Sequence, residues 1–129
     1  MTEQEQAKRA VGEINDEFVA YARWEPPHEG FEPVHIAYVP LTSNQMQEYQ
    51  RRMGGLSQHK AMRLSVEIVC GQVRAWDAKT IKGEPCNPRD KTEVAGQLDY
   101  NVVEGVCELI MDSRRSAEAR EALENFPEP

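Results

Sequence analysis

Residues 18–41 read FVAYARWEPPHEGFEPVHIAYVPL. Two runs of strand formers flank a segment rich in proline and charge. In Phe18 to Trp24, Phe18, Ala20 and Ala22 fall on one side of an extended chain, and Val19, Tyr21 and Arg23 on the other. Pro26 and Pro27 stop this run, and His28-Glu29-Gly30 makes a turn. From Val34 to Leu41, Val34, Ile36 and Tyr38 face one way while His35, Ala37 and Val39 face the other. The two runs are expected to pair as an antiparallel β-hairpin with a long loop. A two-stranded hairpin is marginal alone, so something must cover it. Helices are expected on one face. The other face, or the free edge, is where a partner strand or a second subunit of a homo-oligomer would attach.

Helical signals follow the hairpin. Thr42 or Ser43 is a good N-cap, and Met46, Tyr49 and Met53 form an apolar stripe that ends at Gly54-Gly55. Ser57 opens the next helix. The apolar positions from Ala61 to Trp76 mark it as the central, most buried one, with a strand reading also open for Val66 to Val69. Residues 76–90 read as an irregular insert with a turn at Lys82-Gly83-Glu84-Pro85. A helix start follows at Pro88 to Glu93, anchored by Val94 and Leu98. Asp99 then caps a helix from Tyr100 to about Met111. Ser113 or Ser116 starts a last helix in which Ala119, Leu123 and Phe126 are buried. Before the hairpin, residues 1–12 read as a flexible or helical tail, with Thr2 and Glu5 spaced as a capping box. The expected fold is α+β, one domain over residues 1–129: an N-terminal antiparallel hairpin packed on a bundle of about four helices.

Composition narrows the function. A net charge of −7 repels a phosphate backbone, so nucleic acid is an unfavourable partner. The short basic stretch Arg51, Arg52, Lys60 and Arg63 reads as a solvated helix face. No run is apolar enough for a signal peptide or a membrane span. Three widely spaced cysteines, Cys70, Cys86 and Cys107, give neither a disulfide framework nor zinc-site spacing, which points to a reducing, cytoplasmic compartment. Cys70 and Cys107 fall on apolar helix faces, and Cys86 reads as a semi-exposed thiol.

Signals for chemistry are weak. His28, His35 and His59 belong to no HExxH arrangement, and no glycine set matches a phosphate or dinucleotide loop. No cofactor, metal or catalytic residue is expected. An enzyme would need a site assembled by the fold from His35, Cys86 or a carboxylate pair. The aromatic residues offer more. Trp24 and Trp76 stand at element ends, where a large aromatic serves as a core lid or as a binding anchor. Tyr21, Trp24, Phe31 and Tyr38 could form an aromatic strip around the hairpin. Partner contact is expected at Trp24, Phe31, Tyr38, Met46, Tyr49 and Met53.

From Val34 onward the pieces are Val34 to Leu41, Gln45 to Met53, Val69 to Asp77, Gly83-Glu84-Pro85 and the helix from Asn101 to Met111. In this order they resemble small tail-assembly proteins of long-tailed bacteriophages. The resemblance implies a chaperone that coats the tape-measure protein in the host-cell cytoplasm while the tail tube grows. A minor tail or connector subunit, or a bacterial regulatory protein-binding module, fits the same composition.

Overall fold

The computed structural model describes residues 2–15, 17–27 and 29–112. His28 and the expected last helix after Ser113 lie outside them. The described chain is α+β, with a three-stranded antiparallel sheet and five helices among the described residues. The order is α1 (Glu3–Val11), β1 (Ala20–Trp24), β2 (Val34–Tyr38), α2 (Ser43–Met53), α3 (Gln58–Gln72), β3 (Val73–Trp76), α4 (Lys91–Gln97) and α5 (Tyr100–Met111).

Strand β2 lies between β1 and β3. Ala22 pairs with Ile36 and Trp24 with Val34, and on the other side Ile36 pairs with Trp76. Alternation then sorts the side chains. Ala22, Trp24, Val34, Ile36 and Tyr38 enter the main core with Leu64, Ile68 and Val69 of α3 and Val103, Val106 and Ile110 of α5. Tyr21, Arg23, His35 and Ala37 fall on the opposite face. There α1 lies across β1 and β2. Its Ala7 is fully buried, as is Ala37.

Two expectations are corrected at this point. The second face of the sheet is not bare, because residues 3–11 are helical and lie over β1 and β2 there. The aromatic strip is divided, since Tyr21 stands on the α1 face while Trp24 and Tyr38 stand in the core. Helix α1 begins where Thr2 Oγ1 accepts the Glu5 N–H at 3.1 Å. It is tied down by the Arg23 N–H donating to Glu3 and by the Lys8 ammonium over the Tyr21 ring.

A third correction concerns residues 73–76, read as the end of the central helix. They form β3. The helix passes into the strand without a loop, and Gln72 makes the join. Val39 N–H donates to the Gln72 carbonyl at 2.8 Å, and the buried Gln72 Nε2 donates back to the Val39 carbonyl at 2.8 Å. These two bonds extend the β2–β3 ladder by one step past Tyr38 and Val73. Val73 continues it with a side chain that favours extended backbone. Gln72→Leu removes the buried donor, and about 1–3 kcal/mol of stability is the expected loss. Urea unfolding of the variant checks this, since an unchanged midpoint would mean the join is held by the backbone alone.

The caps agree with the sequence reading. Thr42 and Gln45 form a reciprocal capping box on α2, Ser57 caps α3 and Asp99 caps α5. The insert after β3 is short and ordered, with Lys79 bridged to Pro85 and Gly83 at φ 83° in the turn.

Candidate protein-binding groove

Helix α3 is apolar on more than one face. Leu64, Ile68 and Val69 point into the core, whereas Met62 and Val66 are only half-buried. They look onto a second surface made by α4 and α5. Asp90 starts α4 by accepting the Glu93 N–H at 3.1 Å, and only Leu98 and Asp99 separate α4 from α5. Both helices pack on α3, and an open groove of about 630 Å³ is lined by all three.

Its floor is Met62 and Val66 of α3, Val94 and Ala95 of α4, Leu98, and Val103 of α5. Tyr100 stands among them, half-buried, with its phenol pushed up by burial and then by Glu104. The walls are polar. His59 and Arg63 rise from α3 and Lys91 from α4, all exposed. The one acid lining the groove among the described residues, Glu67, is held by Arg52 through bonds of 2.8 and 3.3 Å. Arg63 and Glu67 also border a smaller hollow of about 310 Å³ with Leu56 and Lys60. An apolar floor between charged walls is the form in which an amphipathic helix is received.

None of the six residues expected to contact a partner lines this groove. Trp24, Tyr38 and Met46 are buried, so the expectation that they stand at an exposed edge is corrected. The reason is alternation: the strand positions that carry Trp24 and Tyr38 face the helices. Tyr49 is half-buried against the core. Phe31 lines a separate hollow with Ile81, which is 73% exposed, and Met53 stands at the surface near the end of α2. The six therefore do not make one binding surface. The groove residues carried two signals: more apolar positions on α3 than one face can hold, and anchors Val94 and Leu98 on a very short helix, which are buried as expected and form the bottom of the groove.

The fold also brings His35 to Asp77. Asp77 Oδ2 lies 2.8 Å from His35 Nδ1, and Oδ1 accepts the His35 backbone N–H at 2.7 Å. The Asp77 N–H in turn donates to the His35 carbonyl at 3.2 Å. The pair borders a shallow cleft with Arg9 and Arg23. No hydroxyl or thiol lines that cleft among the described residues. Asp77 uses both oxygens to close the end of the β2–β3 ladder, which is a structural task. Among the described residues no group of three His, Cys, Asp or Glu could hold a metal ion.

The cysteines are buried and free. Cys86 is therefore not the semi-exposed thiol expected. Its carbonyl accepts the Trp76 indole N–H at 2.8 Å, which pins the insert against β3. Burial, then Glu93, pushes its thiol up to about 11, and burial pushes Cys107 up to about 11 despite a bond to Ser65. Both thiols stay protonated in the folded chain while an unfolded thiol ionises near 8.5. Between these values the unfolded chain holds fewer protons, so stability falls as pH rises from about 8.5 toward 11. A disulfide reagent at pH 8 should react slowly with the native chain and at once with the urea-unfolded chain. Rapid reaction of the native chain would show these thiols to be open to solvent.

Comparison with family models, with curated proteins and with solved structures finds no match. No helix among the described residues is long and apolar enough to cross a membrane.

Proposed function

We propose that this chain is a protein-binding assembly factor that masks an apolar helix of a client in the groove between α3, α4 and α5. The observation that carries the reading is the groove itself, where exposed Ala95 and half-buried Met62, Val66 and Tyr100 present apolar surface above the buried Val94, Leu98 and Val103 of a highly charged protein. Binding is favoured over catalysis because the His35–Asp77 pair serves the sheet and its cleft offers no nucleophile among the described residues. The resemblance of residues from Val34 onward to phage tail-assembly proteins supplies the client class, a long helical tape-measure protein held in the host cytoplasm.

Affinity capture from phage-infected host cells, followed by mass spectrometry, tests this. The expected result is recovery of a long helical tail protein, with this chain missing from purified particles. Recovery inside mature particles would make it a minor tail or connector subunit. Recovery of host proteins alone would remove the phage client and leave a bacterial regulatory module.

A further inference from the structure

The groove walls say more than the floor. Six ion pairs occur among the described residues, and their cations are Lys8, Arg23, His35, Arg51, Arg52 and Arg74. Arg63 and Lys91, one on each wall, are not among them. Neither is Lys60, one turn of α3 from Arg63's side of the smaller hollow. The groove's acid, Glu67, is already matched by Arg52 at 2.8 Å. In a chain of net charge −7, two facing walls are thus left cationic beside an apolar floor. Such an arrangement repels a basic helix and suits one with acids on both sides of its apolar stripe.

We propose that the groove selects an amphipathic helix of a partner protein whose apolar stripe is flanked on both sides by Asp or Glu. This rests on the reading of the groove as a helix-binding site and adds its specificity. Arg63 and His59 meet the acids on one flank, and Lys91 meets those on the other. The apolar stripe settles on Met62, Val66 and Ala95, the floor residues that reach solvent. Rim pairs of this kind are individually weak and screened by salt, so they act on partner choice more than on total affinity.

The test uses two fluorescent synthetic helical peptides and the full chain. Both peptides carry leucine at i, i+4, i+7 and i+11; one has glutamate on both flanks of the stripe and the other lysine. Anisotropy titration should show the glutamate peptide binding roughly tenfold tighter, the sum of a few exposed pairs. The advantage should shrink as salt rises from about 0.05 M to about 0.5 M. Arg63→Glu with Lys91→Glu should reverse the preference without changing the thermal midpoint by more than a few degrees. Equal binding of both peptides, unmoved by the charge reversal, overturns the acidic preference while leaving a helix-binding groove. Failure of both peptides to bind, to the parent chain and to a Leu123→Ser, Phe126→Ser variant alike, overturns the groove reading itself. Binding gained only after Leu123→Ser and Phe126→Ser would assign the groove to the chain's own last residues, and the partner proposal would fall.

Discussion

Trp24→Ala is expected to lower unfolding stability by about 3–5 kcal/mol, a large part of what a domain of this size has. Trp24 is buried at the end of β1 and reaches across to α5. Its indole lies on the backbone of Gly105, where a Cβ would overlap ring atoms of Trp24. Glycine in mid-helix costs about 1 kcal/mol relative to alanine, so an exposed Gly105→Ala would stabilise the chain. Here the sign should reverse. The added methyl must displace the ring or the helix, and about 1–3 kcal/mol is the expected penalty. Trp24→Phe removes the ring atoms in conflict, so the loss from Gly105→Ala should be smaller in a Trp24→Phe background. A double-mutant cycle in urea reads the coupling directly. Additive effects, or a stabilising Gly105→Ala, would mean that β1 and α5 do not meet through this pair.

Loss of client capture with the fold intact is the second large effect. Ala95 is exposed on α4 and lines the groove floor, and Met62 is half-buried opposite it on α3. Ala95→Glu places a carboxylate where the apolar stripe of a bound helix would lie, and Met62→Glu does so from the other side. The new carboxylates lie beside Lys91, one turn from residue 95, and beside Arg63, so they cancel the cations that a partner's acids would meet as well as charging the floor, and a fall in affinity of at least about tenfold is expected for the pair. Neither position belongs to the fully buried core, so the circular-dichroism spectrum and thermal midpoint should stay near those of the parent. Glu84→Lys, on the exposed turn of the insert, is the control and should leave capture unchanged. Equal loss with Glu84→Lys would move the binding surface away from the groove.

Much of this fold is legible in local sequence. Period-two alternation in residues 20–24 and 34–38 marks the strands and their core faces. Thr42, Ser57 and Asp99 mark the helix starts because their side chains satisfy N–H groups that the helix leaves open. The passage from α3 to β3 is not legible in the same way. Val73 and Trp76 continue the helical spacing of Val66 and Val69, and Gly71, just before the join, falls on the helix face that Leu64 and Ile68 mark. The join is decided by Val39, 33 residues earlier, through its two bonds to Gln72. Helix α1 is legible only at its start, where Thr2 and Glu5 carry the capping signal. It buries a single alanine, and its hold on the sheet is largely polar.

The candidate site was less legible than the fold. Large aromatics at element ends pointed to Trp24 and Tyr38, but burial of exactly such residues is what closes the core of a small domain. The groove is built from ordinary Val, Leu, Ala and Met side chains on three helices. Nothing in their spacing distinguishes a floor left open from one that is covered. That distinction depends on how α4 and α5 each pack on α3, through contacts between residues far apart in sequence.

The most direct measurement is site-specific photocrosslinking in living cells. A benzoyl-phenylalanine placed at Ala95 should form adducts with one client, mapped to an amphipathic stretch of its sequence, and the same probe at Glu84 should form none. Adducts at Glu84 with none at Ala95 would contradict the groove as the binding surface.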